Sequence, residues 1–238
     1  MMKITTQLTV LSLAMLFAGC EPQQSGGNPP QQKPDNWPPE APQAAAVVPD
    51  SILLRRNFYL VFDGSGSMDS GNCAGNSRRI DVAKKAAIKF SQSLKAEDNL
   101  ALLAFDGHDL SQRVALGTNN RPLFEGQVNA IRAGGGTPLY QSIGIGFDNL
   151  KQQMAKQLNY GEYYLVVITD GEASDSENGL VDQINRTSPV MLHVVGFCIG
   201  PGHSLNQRGK THYTDAQNPQ AVVDGLKAVL AESEKFDK

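Results

Sequence analysis

The sequence predicts an open α/β sheet with helices packed against it. Two observations carry this expectation. Several short segments are continuously apolar rather than alternating, which suits strands covered on both faces, as in a parallel sheet. Stretches of helical period lie between them, and strands that alternate with helices build an open α/β sheet.

The first strand is Phe58 to Asp63 (FYLVFD), which stops abruptly at DGSGS. Ile80, Ala83, Ala87, Phe90 and Leu94 then step by three and four, one face of a helix. Leu100 to Phe105 (LALLAF) is a second strand, and a tight turn at Asp106-Gly107 leads to a short edge strand over Ser111 to Leu116. Leu139, Ile143, Phe147, Leu150, Met154 and Leu158 mark the next helix. Pro138 suits its first turn and Thr137 its N-cap. Tyr163 to Thr169 (YYLVVIT) and Val190 to Phe197 (VMLHVVGF) are further buried strands. Val222, Leu226, Val229 and Ala231 form the apolar stripe of a closing helix, and no internal repeat is present.

The first 50 residues stand apart from this pattern. Lys3 gives a positive start, and Leu8 to Ala18 is a nearly unbroken apolar stretch of about 11 residues, signal-peptide length and too short to span a bilayer comfortably. Ala18 and Gly19 precede Cys20, which resembles a bacterial lipobox, in which the Cys becomes the lipidated first residue after cleavage. Acyl chains anchor firmly because each buried methylene contributes ~0.8 kcal/mol. Glu21 to Asp50 holds eight of the 13 prolines and five Gln. Such a stretch cannot offset its ordering entropy by burial and reads as an extended tether. The organisation expected is therefore a signal peptide over 1–19, a lipidated Cys20 with its tether over 20–50, and a folded domain over 51–238. In bacterial families with this signal, an Asp directly after the Cys commonly retains the protein in the inner membrane. Glu21 stands there instead, so the expectation is an outer-membrane anchor facing the periplasm.

Composition removes several function classes. The 238 residues carry 21 Lys+Arg against 24 Asp+Glu, a net charge of -3, so the basic footprint of a nucleic-acid partner is missing. Three cysteines without a CxxC spacing make neither a disulfide scaffold nor a zinc knuckle. No GxSxG elbow occurs. SLNQRGKT (Ser204 to Thr211) imitates a P-loop but lacks its leading glycine, and DGSGSMD lacks the third glycine of a dinucleotide fingerprint.

The informative pattern is a set of oxygen donors placed after strands. Open parallel sheets bind ligands beyond the carboxyl ends of their strands. Two strands here end in Asp-Gly, at Asp63 (FYLVFDGSGSM) and Asp170 (YYLVVITDGE), and AGGGTPL lies between them. Asp63, Ser65, Ser67, Thr137 and Asp170 are all hard oxygen donors, the chemistry of Mg²⁺, with Mn²⁺ or Ca²⁺ as substitutes. Gly64 and Gly66 are expected to let the loop turn so that alternate hydroxyls face one centre. Asp106 also follows a strand but reads as a turn residue. His193, inside an apolar strand, reads as a satisfied core histidine, and His108, His203 and His212 are isolated.

In order and spacing, DGSGSM, GGGTPL and VVITDGE resemble the metal-ion-dependent adhesion site of von Willebrand factor type A domains. The resemblance covers roughly Leu53 to Phe236. It implies a doubly wound, Rossmann-like, mostly parallel sheet of about six strands with one antiparallel edge, flanked by helices. It also implies that Asp63, Ser65 and Ser67 form the first ligand loop, that Thr137 binds the metal directly, and that Asp170 binds directly or through water. A carboxylate from a protein partner often completes the shell. SGNCAGNS (Ser70 to Ser77) departs from the family by lengthening the loop before the first long helix.

The function expected is a lipid-anchored envelope protein that grips an acidic group on another protein through a divalent cation. The alternative is a metal-dependent hydrolase of phosphohydrolase type, for which no general base or nucleophile stands out, so a non-enzyme is preferred. With Cys20 lipidated in an oxidising compartment, Cys73 and Cys198 are the remaining thiols. Both are expected at the carboxyl end of the sheet with one strand between them, a gap of ~10 Å that a flexible loop can cross. A disulfide is one reading; two separate thiols, with Cys198 buried as a small hydrophobe, is the other.

Overall fold

A computed structural model describes residues 49–233. The signal peptide, Cys20 and the tether up to residue 48 lie outside the described residues. The chain enters through a single helical turn, α1 (Asp50–Leu53), and then builds β1 (Arg56–Asp63), a 3₁₀ turn (Gly66–Asp69), α2 (Arg79–Ser93), β2 (Asn99–Phe105), β3 (Leu110–Gly117), α3 (Arg121–Ala130), α4 (Leu139–Lys156), β4 (Glu162–Thr169), α5 (Leu180–Thr187), β5 (Met191–Phe197), β6 (His212–Ala216) and α6 (Pro219–Ser233).

The strands form one six-stranded sheet in the order β3-β2-β1-β4-β5-β6. All neighbours are parallel except the edge strand β3, which runs antiparallel to β2. This is the doubly wound, mostly parallel α/β sheet expected. Every residue of β1 and β2 is buried, which is why these strands read as unbroken apolar runs.

Alternate residues feed two cores. Phe58, Leu60 and Phe62 of β1 point to the face covered by α2, α3 and α6, where Ile80, Phe90, Phe124, Val128, Val222 and Leu226 pack. Tyr59 and Val61 point to the other face, against Leu139, Ile143, Phe147 and Leu150 of α4 and Val181 and Ile184 of α5. Each fully buried side chain of this size contributes ~1.5–3 kcal/mol of transfer free energy.

The helices differ from the sequence expectation in three places. Leu158 lies past the end of α4, with positive φ and 59 % exposed, so it is not part of the apolar stripe. Ala231 of α6 is also exposed. Thr137 does not cap α4: Pro138 holds the N-cap position and makes no side-chain cap bond. Asp175, from the loop after β4, caps the helix instead, its carboxylate accepting from the Tyr140 amide (3.1 Å) and the Gln141 amide (2.7 Å). An anion at that helix end satisfies two orphan donors and complements the dipole.

Candidate metal centre

The sheet reverses its winding between β1 and β4, and the two Asp-Gly turns leave the sheet on either side of that switch. Asp63 ends β1 and is fully buried; Asp170 follows β4 and is 3 % exposed. One Asp63 oxygen accepts from the Ser65 amide (2.8 Å) and the other from the Thr169 hydroxyl (2.6 Å). The Ser65 and Ser67 hydroxyls lie 3.0 Å apart, and Ser67 donates to Asp170 Oδ1 at 2.6 Å. Four of the five expected donors therefore form one continuous network.

Thr137, the fifth, is brought up by backbone bonds. Gly134 donates to the Gly64 carbonyl (2.9 Å) and Gly66 to the Gly135 carbonyl (3.2 Å), which zips the GGGT loop to the first ligand loop. The Ser174 amide bonds the Thr137 carbonyl at 2.9 Å and ties in the loop after β4. The glycines serve this close approach. Neither Gly64 nor Gly66 has a positive φ, contrary to the expected sharp turn. A Cβ on Gly64 would fall 2.8 Å from Asp106 Cβ, Ile131 Cγ2 and the Phe105 carbonyl, so only glycine fits there. Gly135 does need its left-handed backbone, at φ 77°.

Burial dominates the electrostatics. It pushes the Asp63 carboxyl up to about 6, against the hydrogen bonds from Ser65 and Thr169 that favour the anion, and nearby Asp170 adds to the rise. Among the described residues Asp63 accepts hydrogen bonds from neutral donors only, so its negative charge has no cationic partner there. Asp170 differs: its second oxygen accepts from Arg79 Nη1 at 2.8 Å in a buried ion pair. An all-oxygen donor set around an uncompensated buried carboxylate fits a small hard cation, which would supply the missing charge. Asp63, Ser65, Ser67, Thr137 and Asp170 are the residues that would hold it.

Residues 58–172 match the family model for the von Willebrand factor type A domain. The fold is that of a von Willebrand factor type A domain. Such VWA domains commonly act as metal-dependent protein-interaction modules. The chain is similar to an uncharacterized protein of Synechocystis, 25 % identical over 152 residues, which are 60 % of this chain and 32 % of that one. It is also similar to the uncharacterized protein YwmD of Bacillus subtilis, 29 % identical over 158 residues, 59 % of this chain and 67 % of that one. The chain thus spans about a third of the length of the first relative. Among solved structures, a von Willebrand factor type A protein from Catenulispora acidiphila superposes with a TM-score of 0.59 at 16 % identity, over 76 % of this chain and 43 % of that one.

Other residues that shape this site gave no sequence signal. Arg79 belongs to the polar start of α2 and looks solvent-facing in sequence, yet it is 8 % exposed and also bonds the Asn72 carbonyl (3.1 Å). His203 lies in a Gly-rich loop. It is 3 % exposed, accepts from the Leu205 amide at Nδ1 (3.0 Å) and therefore donates from Nε2 to the Gly171 carbonyl (2.9 Å), fixing the turn after Asp170. Asp106 serves its turn, accepting from the His108 amide (2.9 Å), Arg113 (3.2 Å) and the Arg132 amide (3.3 Å).

Through the Asn72 carbonyl the lengthened loop touches Arg79, the residue paired to Asp170. Cys73 in that loop and Cys198, just past β5, are disulfide-bonded with Cα atoms 5.9 Å apart. Both cysteines sit in left-handed backbone, at φ 59° and 64°. A non-glycine residue there costs ~1–2 kcal/mol.

Proposed function

We propose that this protein is a lipid-anchored module of the bacterial envelope whose VWA domain binds Mg²⁺ at Asp63, Ser65, Ser67, Thr137 and Asp170. Through that ion it grips an acidic side chain of a protein partner. One observation carries the reading: a fully buried carboxylate, Asp63, is hydrogen-bonded only by neutral groups and opens a chain of hydroxyls that ends at Asp170. With Asp170 already paired to Arg79, a divalent ion at Asp63 keeps excess positive charge and attracts an anionic group from outside. A lipid on Cys20, the tether behind it and an outer-membrane position facing the periplasm follow from the leader residues, and a disulfide between Cys73 and Cys198 agrees with an oxidising compartment.

The test has two arms. Partner capture from solubilised envelopes is expected to require Mg²⁺, to be lost in EDTA and to be lost with Asp63→Ala. Capture that is equal with and without EDTA overturns the cation-mediated grip. A phosphatase screen with Mg²⁺ or Mn²⁺ is expected to stay blank; turnover that Asp63→Ala abolishes would replace this reading with a hydrolase.

A further inference from the structure

The end of the sheet opposite the oxygen site carries a second cluster of different chemistry. His193 of β5 and His212 of β6 are register partners in adjacent parallel strands, so both side chains leave the same face. That face is the one α6 covers, and α6 returns across it so that its last turn lies over the starts of the two strands. Glu232 of that last turn reaches both rings: Oε2 is 3.3 Å from His193 Nε2 and Oε1 is 3.3 Å from His212 Nδ1. The three ligand atoms lie within 4.8 Å of one another.

His193 is not the satisfied core histidine expected from the sequence. It is 4 % exposed, yet its Nε2 makes no hydrogen bond, because the nearby carboxylate lies at hydrogen-bond distance without hydrogen-bond geometry. An orphaned buried nitrogen costs ~1–3 kcal/mol. Burial, with His212 stacked on the ring at 4.6 Å, pushes the imidazole down to about 3 and keeps it neutral, the form that ligates metals.

The geometry points to a transition-metal site formed by His193, His212 and Glu232, with Zn²⁺ the ion that best suits two imidazoles and one carboxylate. Mixed nitrogen and oxygen donors favour Zn²⁺, Ni²⁺ or Cu²⁺ over Mg²⁺, which separates this site chemically from the one at Asp63. Three protein ligands leave a fourth position for water. The imidazole planes lie 19° apart, so closing on one ion requires a ring to turn. His212 supplies that freedom because its side chain is half-exposed, while His193 stays fixed in the core. Bound metal would pin the end of α6 to the β5–β6 edge.

The test uses the full, untagged chain carrying Asp63→Ala, which silences the oxygen site, in excess Mg²⁺. One Zn²⁺ per chain and a Zn²⁺-dependent rise in melting temperature are expected. His212→Gln and Glu232→Gln, both at accessible positions that leave the core intact, are each expected to weaken Zn²⁺ about tenfold or more and to remove the thermal shift. Absence of Zn²⁺ binding in the parent, or affinity within about twofold of the parent in both variants, overturns the site. Neither outcome bears on Mg²⁺ at Asp63.

Discussion

Arg79 Nη1 donates to Asp170 Oδ2 at 2.8 Å, so a buried guanidinium already neutralises one of the two carboxylates that face the candidate metal centre. The other Asp170 oxygen, Oδ1, accepts a hydrogen bond from the Ser67 hydroxyl. Asp170 is thus held in place by a fixed internal cation, whereas Asp63 is held only by neutral donors.

Removing that cation separates stability from metal affinity. In EDTA, Arg79→Ala is expected to destabilise the fold by about 3–5 kcal/mol, because it strands a buried carboxylate. The same variant is expected to gain more from Mg²⁺ than the parent does, since the ion then compensates both aspartates. Thermal melts with EDTA and with Mg²⁺ check both signs.

Asp63→Ala is expected to keep the fold and lose the Mg²⁺-induced rise in melting temperature. An unchanged Mg²⁺ response in this variant removes Asp63 from the site.

The raised Asp63 carboxyl gives a pH dependence of defined sign. Its folded value of about 6 lies above the ordinary value of 3.8, so the metal-free folded state holds the proton more tightly than the unfolded chain. Its stabilising contribution is complete below about pH 3.8 and is lost as pH rises to about 6. Cation and proton compete for the same oxygens, so Mg²⁺ is expected to bind about tenfold more weakly at pH 5 than at pH 7. Calorimetric titration at the two pH values measures this, and Asp63→Asn should abolish the pH 4–6 component of stability in EDTA.

The disulfide closes a loop of 125 residues. Chain entropy assigns such a link about 4–5 kcal/mol, and relaxation of the two left-handed cysteines returns part of that. Cys73→Ser is therefore expected to cost a net ~1–3 kcal/mol, read by chemical denaturation without reductant.

Asp175→Ala removes the remote cap of α4 and is expected to cost about 0.5–2 kcal/mol without changing Mg²⁺ affinity. A loss of Mg²⁺ binding would show that the loop after β4 also positions Thr137.

Much of this architecture was legible because the central strands are buried on both faces. FYLVFD, LALLAF and YYLVVIT must be almost wholly apolar to lie in the middle of a two-layered core. β6 was invisible for the opposite reason: HYTDA is an edge strand with a single buried residue, Ala216. α3 and α5 were missed because each buries only two side chains, Phe124 and Val128 in one and Val181 and Ile184 in the other. Asp63, Ser65, Ser67 and Asp170 were legible because they follow strands in sequence, and Thr137 because it follows three glycines at a helix start. Arg79, His203 and Asp175 were not, because each reaches its partner across the fold; Arg79 and Asp170 lie 91 residues apart. The His193–His212–Glu232 cluster was illegible for the same reason, since only strand pairing and the return of α6 bring it together.

Gln157 fastens the junction between α1 and β1, its side-chain amide donating to the carbonyls of Ile52 (2.8 Å) and Arg55 (3.0 Å). The chain therefore enters at one tip of β1, and the ligand loop begins at the other. A pull arriving at Arg56 and resisted by a partner held near Ser65 would run lengthwise down this strand. β2 and β4 flank it in unbroken parallel register on both sides. Such tension strains both ladders together in shear rather than peeling them open bond by bond, so the strand that ends in Asp63 is well seated to withstand traction.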